Sequence, residues 1–287
     1  MKKYLKMAGN ILLYGGIYFG FQIFVMVVFM IVFGINEAIK AQDVTQSFNF
    51  SDAAANAFFD QNLNIIMLVS EFISLLTFML IFYAKKQNLF KYCGFFKLSL
   101  KNAALIVVMA SGMGMFIDGI LTALPIDKWF PEYSELMDSL MGGGQDFSII
   151  LLSVGILGPI FEEILFRGLV FNELRKVKGL VFSVIVQAIL FGVFHMNWLQ
   201  GIYAFLLGII LGLVYVWTRS IWAPIIAHIV FNTSSVFGGF LNLIANIYVV
   251  IALGLILTVI SLFYLYRNRK TEYVLSETVS LKHNNIL

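Results

Sequence analysis

The sequence predicts an all-α membrane protein, a polytopic bundle of about eight transmembrane helices. Three observations predict it. Of the 287 residues, 60% are hydrophobic and 12% charged, against roughly 25% charged in soluble domains, so there is too little polar surface to cover a water-exposed globule. Apolar stretches of the roughly 20 residues needed to cross a bilayer recur along the chain. Lys and Arg collect in alternate loops between those stretches, as the positive-inside rule expects.

The first span, residues 11–35, follows Lys2, Lys3 and Lys6; its apolar run exceeds the roughly 7–15 residues of a signal-peptide core and is read as retained. A polar loop rich in Ala, Asn and Gln fills residues 36–62 and leads to the second span, 63–84. Lys85, Lys86, Lys91, Lys97 and Lys101 precede the third span, 102–124. The next loop carries Asp127, Glu132, Glu135 and Asp138 before Gly142, Gly143 and Gly144. The fourth span, 147–171, is followed by Arg175, Lys176 and Lys178. Spans five and six, 179–196 and 198–217, nearly touch at Asn197; spans seven and eight, 221–241 and 243–266, nearly touch at Asn242. Sixteen of the 19 Lys and Arg residues fall on one side, with Arg219 and the tail cations added; the opposite loops hold Lys40 and Lys128, and Arg167 lies inside a span. Both termini are therefore expected in the cytoplasm, with an even number of crossings of the cell membrane.

Cations spread through loops rather than gathered on one face exclude a nucleic-acid partner; the lipid bilayer is the partner that composition implies. A single cysteine, Cys93, excludes an intramolecular disulfide and multi-cysteine metal patterns. No internal repeat points to a transporter of two similar halves.

A charged side chain at the centre of a membrane helix costs about 2.5–3.5 kcal/mol on insertion scales, so each one demands a partner or a cavity. The candidates are Glu71, Asp118, Glu162, Glu163, Arg167, His195 and His228. Glu163 and Arg167, four residues apart, share a helical face and can form an ion pair. Glu162 then lacks an intrahelical cation, and adjacent carboxylates resist double ionisation in a low dielectric, which suits Glu162 to accept a proton. Just upstream, Gly158-Pro159 should kink the helix or free a carbonyl and open space beside the carboxylates. Phe191 shares a face with His195, and His228 shares one with Asn232. Glu71 and Asp118 are expected to snorkel or to hydrogen-bond locally. On straight helices with these boundaries, His195 lies much nearer the outer end of its span than Glu162 and His228, and the three should not meet.

Glu and His can hold and deprotonate a water, while His and Asn can donate to the oxyanion formed when that water attacks a peptide carbonyl. A His-Glu-x-x-His run is absent. Two histidines and a glutamate from separate helices can still make a three-ligand zinc site, and spacing does not choose between the two schemes.

At these residues the sequence resembles the CAAX protease and bacteriocin-processing (Abi) family, which includes the Ras-converting prenyl-protein endopeptidases. Glu-Glu-x-x-x-Arg matches Glu162, Glu163 and Arg167; Phe-x-x-x-His matches Phe191 and His195; His-x-x-x-Asn matches His228 and Asn232. The resemblance covers residues 147–237. It implies an intramembrane endopeptidase in which Glu162 and His195 activate water, His228 and Asn232 form the oxyanion hole, and Glu163 and Arg167 support the site. Its substrate would be a membrane-associated or lipidated peptide or a membrane protein. Members are commonly named metalloproteases, so zinc stays a candidate cofactor, although the water-activating scheme does not require it. The chain is then expected to divide into a three-span region with an amphipathic loop (1–146), a catalytic membrane core (147–241), a last helix (242–266) and a cytoplasmic tail (267–287). The working expectation is a site opening toward the cytoplasm. The alternatives are a non-catalytic immunity or partner-binding protein that keeps the polar cluster for packing, and a proton pathway using Glu71, Asp118 and the glutamates.

Overall fold

A computed structural model of the chain describes residues 1–41, 52–141, 146–237 and 246–269. Gly142, Gly143 and Gly144, the division at Asn242 and the tail beyond residue 269 lie outside the described residues. The described residues form helices α1 (Lys2–Ala41), α2 (Asp52–Ala84), α3 (Leu89–Tyr92), α4 (Leu100–Ala123), α5 (Ile126–Trp129) and α6 (Pro131–Met141). They continue as α7 (Phe147–Arg175), α8 (Leu180–Phe194), α9 (Trp198–Thr218), α10 (Trp222–Phe237) and α11 (Ile247–Arg267). No strand occurs among them, so the expected all-α class holds. Six of these helices are long and apolar enough to cross a membrane, and α8 is a shorter apolar helix. The chain is an integral membrane protein.

Two expected loops are largely helical. Helix α1 has 40 residues, about 60 Å at 1.5 Å per residue, twice the roughly 30 Å hydrocarbon core. It continues to Ala41, and α2 begins at Asp52, because Ala- and Gln-rich polar sequence is as competent for helix as apolar sequence. The acidic loop after α4 folds into α5 and α6. In α6, Tyr133, Leu136, Met137 and Leu140 recur at three- and four-residue spacing on one inward face, while Glu132, Glu135 and Asp138 are exposed; that is the apolar stripe of an amphipathic helix.

Helix α7 is not broken at Pro159. It widens into π-helical turns at Leu151–Leu157 and Ile164–Val170. Gly158 donates its N–H to Ser153 five residues back, and a Cβ on Gly158 would lie 2.6 Å from that carbonyl oxygen, so only glycine allows the approach. The π turns let the rod run on to Arg175, four residues past the predicted end.

That length, with the shortness of α8, brings the site together. Glu162 lies about 20 Å from Arg175 along α7, and His195 about 22 Å from Leu180 along α8, at 1.5 Å per residue. The two helices are joined by a short turn, so both side chains reach the same depth. The expected mismatch between them does not occur.

Candidate active site

Each side chain is fixed by local sequence. His195 caps the C-terminus of α8, Met196 follows with φ 53° and reverses the chain, and the Asn197 side chain accepts from the Gln200 N–H to start α9. The turn is tight because α8 and α9 meet at Gly192 and Gly201, where a Cβ on Gly192 would lie 2.6 Å from the Gly201 oxygen. His195 Nδ1 is 2.8 Å from the Phe191 carbonyl oxygen. A carbonyl can only accept, so Nδ1 carries the hydrogen and Nε2 is the ring's free nitrogen.

Glu163 and Arg167 are paired at 2.7 Å and both are 0% exposed. The same Glu163 Oε1 lies 2.8 Å from His228 Nδ1, so a carboxylate already held by a guanidinium also orients the imidazole. Arg167 donates in turn to the Gly208 carbonyl at 3.3 Å, and its guanidinium lies 4.4 Å from the centroid of the Phe191 ring. Phe191 meets the rings of His195 and His228 edge-on at 4.9 and 5.7 Å. One aromatic side chain thus packs against the buried cation and both histidines. Gln187, not singled out from the sequence, donates to the same Gly208 oxygen at 2.8 Å; an amide in the otherwise apolar α8 was the available signal.

Glu162 faces the other way. Its side chain is 14% exposed, and its Oε2 lies 3.6 Å from His228 Nε2, a separation suited to a bridging water rather than a direct bond. Glu162, His195, His228 and Asn232 all line one cavity of about 290 Å³. Glu163 and Arg167 sit behind that wall. Asn232 donates from Nδ2 to the Val154 carbonyl at 2.8 Å. This is the carbonyl freed upstream of Pro159: its α-helical donor, Gly158, is turned to Ser153, and proline has no N–H.

The N-terminal region also contributes walls, through Tyr18 and Gln22 of α1, Met67 of α2 and Asp118 of α4. Tyr18 stacks on Phe161 at 5.2 Å. Hydropathy alone gave no signal for these contributions. Glu71 does not snorkel: it is 4% exposed and neither oxygen has a protein hydrogen-bond partner. Asp118 lines the cavity. The cavity lies in the half of the bundle away from the termini, beneath α6.

Among the described residues no three His, Cys, Asp or Glu side chains are grouped to hold a metal ion. Glu162 with the Nε2 atoms of His195 and His228 is a donor set chemically suited to zinc, but these side chains as placed do not form such a group.

The fold and cavity describe a helical membrane protein whose separate helices bring a few polar side chains into one largely apolar cavity. Comparison with known proteins points to a class of similar proteins: residues 144–234 match the family model "Type II CAAX prenyl endopeptidase Rce1-like", and this segment holds all six candidate residues. YdiL of Bacillus subtilis (strain 168), described as a candidate membrane peptidase, is 29% identical over 100 residues, covering 35% of this chain and 41% of that protein. The membrane-embedded CAAX protease MroQ of Staphylococcus aureus (strain USA300) is 31% identical over 90 residues, 29% of this chain and 36% of that protein. The uncharacterised YpbD of B. subtilis is 28% identical over 128 residues, 42% and 63% of the two lengths. The chain thus spans less than two thirds of each of these relatives. No solved structure matches it.

Proposed function

We propose that this protein is an intramembrane endopeptidase that hydrolyses a peptide bond of a membrane-associated or lipidated substrate, with both termini in the cytoplasm. The observation that carries the reading is the convergence of Glu162, His195, His228 and Asn232, from three stretches of chain, on one cavity.

In this reading a water sits between the Glu162 carboxylate and His195 Nε2. Glu162 takes one of its protons as the oxygen attacks the carbonyl carbon. The carbonyl oxygen becomes an oxyanion, which accepts hydrogen bonds from the second amide N–H of Asn232 and from His228 Nε2 when that nitrogen is protonated. The C–N bond then breaks, and the proton held by Glu162 passes to the leaving amine. Glu163 and Arg167 are positioning residues, acting through His228 and Phe191.

The test is cleavage of an internally quenched peptide carrying a prenylated cysteine, and of its unprenylated counterpart, by the chain in proteoliposomes. Glu162→Gln keeps size and most hydrogen bonding but removes the base, and should lower turnover by about 10²–10⁴-fold. Cleavage of either peptide by that variant at the parent rate would remove Glu162 from the mechanism and favour the non-catalytic immunity or partner-binding alternative.

A further inference from the structure

The geometry points to a cavity that receives its peptide from the side of the membrane opposite the termini, which makes the substrate an extracytoplasmic segment when the termini are cytoplasmic. This deepens the peptidase reading above and rests on it for the word substrate; the placement of the opening does not.

Three independent features carry it. The first is position. The cavity is lined by the early residues of α2 and α9, such as Leu63 and Gln200, by the late residues of α4 and α10, such as Leu121 and Asn232, and by α6. All of these belong to the half of the bundle remote from Met1 and Arg269.

The second is the floor. Between Glu162 and the terminal side lie Leu165, Leu169 and Leu174 of α7 and Leu211 and Val214 of α9, all 0–2% exposed. Packing of that density leaves no room for a peptide. Beneath it residues 92–94 are tied to α7, α9 and the turn before α10: Ile221 N–H donates to the Gly94 carbonyl at 2.9 Å, Tyr215 donates to the Cys93 carbonyl at 3.2 Å, and Asn172 donates to the Tyr92 carbonyl at 3.0 Å.

The third is the roof. Among the described residues the amphipathic α6 covers the other side, resting on its apolar face and on two side-chain hydrogen bonds, Ser139 to Asp60 at 2.9 Å and Asn64 to the Leu140 carbonyl at 2.9 Å. Its outward face bears the exposed Glu132, Glu135 and Asp138, whereas the terminal face exposes Lys85, Lys86, Lys91, Lys97 and Lys101. That charge asymmetry sets the terminal face inside and the roof outside.

The test is single-site thiol labelling of the full chain in intact bacterial cells with a membrane-impermeant maleimide, then again after permeabilisation. The parent, whose Cys93 is buried, sets the background. Met137→Cys on the roof and Gln22→Cys deeper in the cavity should label in intact cells, at least about tenfold above background, and Lys97→Cys only after permeabilisation. Labelling of Met137→Cys and Gln22→Cys only after permeabilisation, labelling of neither under any condition, or labelling of Met137→Cys alone would each overturn the proposal. The readout does not depend on turnover, so an inactive chain with an outward-opening cavity defeats the peptidase reading alone.

Discussion

The side-chain amide of Asn232 donates to the main-chain carbonyl of Val154 at 2.8 Å, a carbonyl that Pro159 and the π turn leave without a backbone donor. A helix defect on α7 thereby fixes the direction of a polar side chain on α10. Asn232→Ala would strand a carbonyl beside the cavity at a cost of about 1–3 kcal/mol. Pro159→Ala supplies an N–H for the same oxygen. In that background the Asn232→Ala cost should fall by at least half, measured as unfolding free energies in a double-mutant cycle. Equal costs in both backgrounds would show that the two residues are not coupled.

Glu163 holds a cation and an imidazole with one oxygen. Arg167→Met removes the cation and leaves a carboxylate in a fully buried position, a change that costs about 3–5 kcal/mol when one partner of a buried pair is lost. The double variant Glu163→Gln/Arg167→Met removes both charges and should recover much of that loss. Thermal unfolding in detergent reads the difference. Because His228 loses its orienting carboxylate, cleavage should stay low in the double variant even where stability returns.

Cys93 is 0% exposed and stands outside the spans, at the end of α3. Burial disfavours the thiolate and pushes the thiol up to about 12 from its ordinary 9.0. The thiolate is the reacting form, so labelling of folded protein should be negligible at pH 8 and rise about tenfold per pH unit up to pH 11, until the fraction ionised saturates. The folded-state value is raised, so this group favours the folded state less as pH climbs through the unfolded thiol's range and on toward 12. Fast labelling at pH 8 without denaturant would show that α3 does not pack as described.

Glu71 is a buried carboxyl with no protein partner, and Gly158 stands beside it: a Cβ there would lie 3.8 Å from Glu71 Oε1. Such a group costs about 1–3 kcal/mol relative to an apolar residue of similar volume. Glu71→Leu should raise the unfolding midpoint. A raised midpoint with unchanged cleavage would make Glu71 a structural burden, whereas a raised midpoint with lost cleavage would bring it into the reaction.

Much of the site was legible because the bilayer makes polar residues conspicuous. Glu162, Glu163, Arg167, His195 and His228 stand out against apolar spans, and four-residue spacing alone predicts the Glu163 to Arg167 pair and the shared face of His228 and Asn232. Depth was not legible. Whether His195 meets Glu162 depends on α7 persisting to Arg175 and on α8 having only 15 residues, and helix ends are the feature that composition defines least. Nor was the wall formed by Tyr18 and Gln22, since an apolar span does not announce which face it turns inward. The long α1 and α2 were missed because polar Ala-, Asn- and Gln-rich sequence reads as loop by hydropathy and as helix by propensity.

In the proposed mechanism Glu162 and His195 act on one water as a single unit. Groups that act as a unit lose activity together rather than in sequence. The direct measurement is peptide cleavage by Glu162→Gln, by His195→Ala and by the double variant under single-turnover conditions in proteoliposomes. Each single change should lower the rate by about 10²–10⁴-fold, and the double variant should be no slower than the worse single one. Losses that multiply, or a single variant that cleaves at the parent rate, would contradict it.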